Sequence, residues 1–461
     1  MTYFFIGVAG TGMSALAQFL AMKGHNVAGS DRLFTMEPQH PIIKQLQAAG
    51  IQTFPQGKAP IPDNATVIIS SAIEPSVPEY KQALDKKLKI LHRTDLLSQI
   101  IQNYNTIAVT GTSGKSTTTG MIFHILKHNG LNPSLITGAP LIELKAKGLI
   151  GNAFAGDGNW LVFEADESDG TATKYKTNAG VILNLDLDHK KPQKIFQIFQ
   201  KFADNTQTAI INVSDSKLRD IHHDHKITFC LQPGGSTHKI NSCQFQGSDI
   251  SMDWSGLNFK INQHQAHLPI IGLHNAENAL AAVAAATAAN IRPSNAIAAL
   301  SSFRGIFRRM QIIYRGIDFT VIDDFAHNPA KIKSAITSVQ TLAPQIIAWF
   351  QPHGFSPLKL WGDALVQTLA QILRPNDIFI FSPVYYAGGT APRDVCARDY
   401  AEKLKKSGKN AFFLRNRRQL PDFIRQLAKP PTIILLMGAR DPMLDYFANY
   451  VSNYVIYFDG I

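Results

Sequence analysis

A three-domain α/β architecture, each domain a mostly parallel sheet between helices, follows from three features of the sequence. Short β-branched and apolar runs recur along the whole chain and alternate with helical patterns, the rhythm of βαβ units. Most of these runs end in glycine, hydroxyl or charged residues, and open α/β sheets bind ligands at those carboxyl ends. A length of 461 residues suggests roughly three domains, each long enough to bury a core. The pattern places their boundaries at residues 1–104, 105–310 and 311–461.

Composition narrows the class. The apolar and charged fractions are those of a globular protein, without a low-complexity tract. Residues 1–6 are apolar, lack a basic leader and run into glycines, so they read as a first strand and not as a signal peptide. No apolar run approaches the ~20 residues of a membrane span. Cys230, Cys243 and Cys396 show no metal or redox spacing and cannot all pair, which points to a reducing cytoplasm. The net charge of +11 admits nucleic acid, an anionic surface or acidic small molecules. Much of the excess lies in residues 403–429, on a pattern that reads as a solvated helix face. No stretch interleaves aromatic and basic residues as single-strand binders do, so nucleic acid is not expected.

In the first domain, residues 3–6 form a strand that turns at Gly7-Val8-Ala9-Gly10-Thr11-Gly12 into a helix over 13–22, which Gly24 ends. A second strand, 26–28, leads to Gly29-Ser30-Asp31. A βαβ opening with an acidic residue after the second strand is Rossmann-like. The glycine order G-x-x-G-x-G reverses the dinucleotide fingerprint, so this helix start suits the pyrophosphate of another nucleotide better than a nicotinamide cofactor. Residues 66–69 form a strand ending in Ser70-Ser71, 87–91 the last strand, and Arg93 opens a helix to about residue 102.

The second domain begins with a strand over 106–110 that runs into Gly111-Thr112-Ser113-Gly114-Lys115-Ser116-Thr117 and a helix. The glycines let backbone N–H groups approach an anion, the helix start favours it, Lys115 adds a charge, and the Ser116 hydroxyl can ligate Mg²⁺. The full P-loop spacing would need glycine at Val109, so this is a shorter form, and a nucleoside triphosphate is the expected ligand. A strand over 160–163 then meets Glu164, Asp166, Glu167 and Asp169, a concentration of charge best tolerated beside a cation. A strand over 179–183 feeds Asn184-Leu185-Asp186-Leu187-Asp188-His189. With Glu164 and Ser116 on neighbouring strands, His189 would complete a Mg²⁺ shell. Residues 226–268 alternate in short β-like pieces. His274, Asn275 and Asn278 precede an alanine-rich helix over 279–290, where they can meet a purine, unless Asn275 merely caps the helix.

Residues 301–310, with Arg304, Arg308 and Arg309, read as a hinge. Beyond it, four strands end in Asp323-Asp324-Phe325-Ala326-His327-Asn328, in Gln351-Pro352-His353-Gly354-Phe355, near Tyr385-Tyr386, and in Gly438-Ala439-Arg440-Asp441. This alternation predicts a third, Rossmann-like sheet.

In chain order, GVAGTGMSALA, GSD, SSAI, HRTDLL, the glycine loop, EADESD and N-x-D-x-DH resemble the Mur ligases, ATP-dependent amide-forming enzymes of bacterial peptidoglycan synthesis. The resemblance spans nearly the whole chain. It implies that Gly10, Gly12, Asp31, Ser70, Ser71 and Arg93 hold a UDP-sugar. Gly111 to Thr117 would hold ATP phosphates, with Ser116 on one Mg²⁺ and Glu164 and His189 on a second. His274, Asn275 and Asn278 would take the adenine, Arg309 the phosphates and Asp324 the ribose, while His327 and the His353 loop would face an amino acid. The implied substrates are ATP, UDP-N-acetylmuramate and, first among amines, L-alanine. Reattachment of a murein tripeptide, a paralogue using another amine, and a non-catalytic nucleotide-binding scaffold are the alternatives. The third domain departs most from the family pattern: Phe325-Ala326-His327-Asn328 replaces Tyr-Gly-His-His, and Gly354 stands where an arginine usually follows Gln-Pro-His. A carbamylated lysine is not expected.

Overall fold

The computed structural model describes residues 1–167, 170–185, 192–232, 243–386 and 392–459. Among them, the apolar runs assemble into three sheets. The first contains β1 (Thr2–Ile6), β2 (Asn26–Asp31), β3 (Ile51–Pro55), β4 (Ala65–Ile69) and β5 (Ile90–His92) in the order β3-β2-β1-β4-β5, all parallel. The order reverses between β1 and β4, so a ligand crevice opens at their carboxyl ends. Gly29-Ser30-Asp31 belongs to β2 instead of following it, because pairing with β3 continues to Asp31↔Pro55. The sequence reading passed over β3, an edge strand ending in proline. The last strand is shorter than expected, since Lys87 adopts a left-handed φ of 52°.

The second sheet holds β6 (Asn105–Thr110), β7 (Ser134–Ile136), β8 (Ala153–Phe154), β9 (Trp160–Glu164), β10 (Thr177–Ile182), β11 (Thr206–Asn212), β12 (Lys226–Leu231), β13 (Phe245–Asp253), β14 (Gly256–Ile261) and β15 (His264–Leu268). Strand β6 lies between β9 and β10, parallel to both. The helix Lys115–His128 packs against the alanine-rich helix Asn275–Ala286, whose small side chains are almost all buried. That helix starts before the expected residue 279, and Asn275 is its first residue, not a cap outside it. Cys230 and Cys243 form a disulfide, a pairing that their spacing did not announce. Their Cα atoms lie 6.0 Å apart, within bridging range. Cys396 is free and exposed.

The third sheet comprises β16 (Gln311–Arg315), β17 (Phe319–Asp324), β18 (Gln345–Gln351), β19 (Ile378–Phe381), β20 (Asn410–Phe413) and β21 (Thr432–Gly438), ordered β16-β17-β21-β18-β19-β20. Only β16 is antiparallel to its neighbour. Both faces are covered: Phe350, Phe379 and Phe381 belong to one apolar cluster, Trp349, Ile380 and Phe447 to another. Such double burial explains the continuous apolar runs. The basic stretch 403–429 is not one helix face but the end of the helix Ala397–Lys406, then β20, then the helix Leu420–Leu427.

The chain forms two compact units. One holds the first two sheets, residues 1–250, 258–269 and 275–307; the other holds the third, residues 251–257, 270–274 and 308–461. A single apolar cluster runs through the first unit, from Phe5 and Phe19 to Phe163 and Phe199. Among the described residues no helix is long and apolar enough to cross a membrane.

Candidate active site

The glycine loop sits where the sequence places it, between β6 and the helix Lys115–His128. Gly114 adopts φ +82°, and a Cβ there would lie 2.4 Å from Asn278 Oδ1, so only glycine fits. Asn184, just past β10, clamps the loop: its Oδ1 accepts from the Thr112 hydroxyl and the Ser113 amide, each at 2.8 Å, and its Nδ2 donates to the Ser113 carbonyl at 3.1 Å. Asn278 holds the other side, accepting from the Thr118 hydroxyl at 3.2 Å and donating to Asn275 Oδ1 at 3.0 Å. Asn275 and Asn278 are both buried, and the Asn278 amide is engaged by the helix that carries the loop. These are the residues that the family resemblance, together with His274, sets against the adenine.

Lys115 Nζ donates to the Gly111 carbonyl at 2.6 Å and to both oxygens of Glu167, at 3.1 and 2.9 Å. Burial works against the ammonium, but the carboxylates of Glu167, Asp166 and Glu164 together hold its pKa above the ordinary value. Burial likewise pushes the Glu167 carboxyl above the usual range, with Lys115 opposing. Glu167 as the lysine's partner was not read from the sequence, although the acidic stretch contained the signal.

Within that stretch the charges part ways. Glu164, at the end of β9, accepts from the Thr137 hydroxyl and from the Gly138 amide. Asp166 lies 4.0 Å from Arg93, and Glu167 takes Lys115. Among the described residues no three His, Cys, Asp or Glu side chains gather as a metal site, and His189, Asp169, Asp186 and Asp188 lie outside the described residues. The oxygen donors that are placed suit a hard cation. Glu164 ends β9 beside β6, whose own end at Thr110 leads through the glycine loop to Ser116 in the first turn of the helix, and the buried Thr110 hydroxyl has no hydrogen-bond partner among the described residues.

The first sheet contributes the adjoining crevice. Gly10 precedes the helix Thr11–Met22, and a Cβ on Gly12 would lie 2.9 Å from the Arg93 guanidinium. Asp31 accepts from the Ala9 amide at 2.9 Å and the Leu33 amide at 2.8 Å, so it shapes the glycine turn as well as facing the crevice. Ser70 and the exposed Ser71 follow β4. This edge is tied to the second sheet, because buried Asn152 donates to the Thr11 carbonyl at 2.9 Å and accepts from Gln18 at 2.8 Å. Arg93 therefore stands between Gly12 and Asp166, linking the crevice to the phosphate loop.

In the other unit, Arg309 lies between two residues in left-handed conformation, Arg308 (φ 56°) and Met310 (φ 47°), with its guanidinium 4.6 Å from the Phe325 ring centroid. Asp324 accepts from the Met310 amide at 2.7 Å and the Ala326 amide at 2.8 Å, so the expected ribose ligand also fastens the Arg309 turn. His274 is exposed, with Nδ1 3.2 Å from the Ser334 hydroxyl. The His327 and His353 rings meet edge to face at 5.1 Å. Burial lowers the His327 pKa to about 2, with Lys331 adding to the effect. Its Nδ1 is 2.8 Å from the Phe325 carbonyl; a carbonyl only accepts, so Nδ1 carries the proton and Nε2 is left as an acceptor.

Three family models match the chain in order: the Mur ligase family catalytic domain over residues 2–105, the Mur ligase middle domain over 109–286, and the Mur ligase glutamate ligase domain over 308–440. The UDP-N-acetylmuramate–L-alanine ligase of Thermosynechococcus vestitus is 32% identical over 457 residues, covering 95% of this chain and 92% of the relative. That of Microcystis aeruginosa is 31% identical, covering 95% and 93%. Among solved structures, the UDP-N-acetylmuramate–alanine ligase of Thermotoga maritima superposes with TM-score 0.81 at 24% identity over 100% of both chains. A murein peptide ligase of Psychrobacter arcticus gives 0.69 at 24% identity, covering 99% and 98%. These superpositions establish the three-sheet fold. With all three family models in register and near-full-length relatives above 30% identity, this chain belongs to the Mur ligase family.

Proposed function

We propose that the protein joins L-alanine to the carboxylate of UDP-N-acetylmuramate in the cytoplasm, using ATP and passing through an acyl phosphate. In this reading residues 1–104 hold the UDP-sugar, 105–310 ATP, and 311–461 the amino acid. The observation that carries it is the line Gly12, Arg93, Asp166, Glu167, Lys115, which joins the first-sheet crevice to the phosphate loop within one unit. It supports a reading in which an anionic sugar nucleotide lies beside the γ-phosphate that must reach its carboxylate.

A carboxylate is a poor electrophile. Its oxygen attacks the γ-phosphorus and ADP leaves. The amine then attacks the acyl carbon, loses a proton, and phosphate departs. Lys115 offsets the repulsion between the anions. Mg²⁺ would supply further charge neutralisation, held by Ser116 and Glu164 with His189 completing the set. His327, unprotonated at Nε2, accepts a hydrogen bond from the amine. Arg309 takes phosphate oxygens, His274, Asn275 and Asn278 the adenine, and Asp324 the ribose.

The reading is tested by phosphate release from ATP with UDP-N-acetylmuramate, scanning single amino acids and the murein tripeptide. A maximum with L-alanine supports it, and silence with every amine removes it. A second reading, another amine, is favoured by the third-domain residues Phe325-Ala326 and Gly354-Phe355 that depart from the family pattern. The tripeptide is disfavoured, because Gln351-Pro352-His353-Gly354-Phe355 stands where an Arg-Ser-Asn-x-Met stretch is expected.

A further inference from the structure

We propose that Arg440 receives the carboxylate of the amino-acid substrate, an inference that rests on the ligase reading above. Strand β21 lies between the two strands that carry the histidine loops: Met437 pairs with Asp324 of β17, and Gly438 with Gln351 of β18. Both ladders end at these pairs, and Arg440 follows two residues after Gly438, at the same carboxyl edge of the sheet that His327 and His353 follow. Those two rings meet edge to face at 5.1 Å, so both histidines gather at the edge where the central strand ends.

The turn that presents Arg440 is pinned. Asp441 accepts from Arg417 at 2.7 Å and from the Met443 amide at 2.8 Å, and its own amide donates to the Ala439 carbonyl at 2.8 Å. Arg440 is held there at φ 60°, a conformation in which glycine is the unstrained residue. An arginine kept in that position points to a task for its side chain. Other cations near this edge are committed: Arg308 to Asp323, Arg417 to Asp441 and Lys359 to Asp394. Arg440 is exposed and enters no ion pair among the described residues.

Charge at the same edge agrees. The helix Phe355–Ile372 starts beside His353 with no side-chain cap, adding its positive end. Gly354 carries no guanidinium where the family pattern has one, and Arg440 supplies it one strand away. A planar guanidinium matches a carboxylate fork better than an ammonium would.

The test compares L-alanine with L-alaninamide, which lacks the carboxylate, in phosphate release by the full-length enzyme with ATP, Mg²⁺ and UDP-N-acetylmuramate. The wild type should prefer L-alanine by about 100-fold in kcat/KM, the scale of a lost charge-assisted contact. Arg440→Gly should erase that preference through the KM for L-alanine. It should leave alaninamide turnover and the KM values for ATP and the UDP-sugar unchanged, and melt no lower than wild type because glycine suits the turn. Arg440→Lys should retain part of the preference. An equal alanine-to-alaninamide ratio in wild type and Arg440→Gly, with turnover intact, would overturn the assignment alone, as would a wild type that shows no preference. Absence of phosphate release with any amine would overturn the ligase reading and this inference with it.

Discussion

Lys115 Nζ lies 2.9 Å from Glu167 Oε2, and both side chains are largely buried, at 18% and 8% exposure. The pair joins the first helical residue after the glycine loop to the acidic stretch beyond β9. The lysine proposed to meet phosphate is thereby fixed against its own loop by the Gly111 carbonyl on one side and a carboxylate on the other. Removing either member leaves the other charge buried.

Lys115→Ala should therefore lower phosphate release by at least about 100-fold, the scale of losing one preorganised electrostatic contact. It should also destabilise the fold by about 3 kcal/mol through the stranded Glu167. Adding Glu167→Gln to it should recover most of the melting temperature but none of the activity. Recovery of neither would place the destabilisation elsewhere. UDP-sugar binding, followed by calorimetry, should persist throughout.

Glu164→Ala removes the acceptor for the Thr137 hydroxyl and the Gly138 amide together with a proposed metal ligand. The Mg²⁺ concentration for half-maximal phosphate release should rise by roughly 10-fold or more. Unchanged Mg²⁺ dependence would move the ion away from this strand end.

Gly12→Ala places a methyl group 2.9 Å from the Arg93 guanidinium. The displaced arginine should raise the KM for the UDP-sugar by about 10-fold while ATP binding stays as it was. A rise confined to ATP would contradict the assignment of this crevice.

Glu143 gives a pH signature remote from the chemistry. Burial raises its pKa, but hydrogen bonds from His124 and Lys127 overcome that and lower it to about 2. A carboxylate depressed in the folded state stabilises the protein above its unfolded pKa of ~4.5 and loses that contribution as pH falls toward 2. About 2 kcal/mol is at stake after allowance for solvent screening. Thermal melts should decline more steeply between pH 5 and 3 for wild type than for Glu143→Gln, and parallel curves would refute the linkage.

What was legible in the sequence is what local chemistry dictates. The glycine loop could be read from Gly111 to Ser116 because strand, left-handed glycine and helix start are all local requirements. Doubly covered strands such as β6, β18 and β21 betrayed themselves by unbroken apolar runs. Edge strands did not: β3, β16 and β20 carry too little continuous apolar sequence, and pairing with a neighbour makes them strands. The family motifs likewise named candidate residues without naming their partners. That Asn278 braces Gly114, that Glu167 and not Glu164 takes Lys115, that Arg93 bridges Gly12 and Asp166, and that Arg440 leaves the sheet at the same edge as two histidines are all long-range relations. They depend on strand order and register. By itself the sequence determined the elements, the three-sheet plan and the chemical types at the strand ends. Only the tertiary structure decided which of those groups meet, because hydrogen bonds and ion pairs act over a few ångströms and cost too much when buried unmade for their partners to be left to chance.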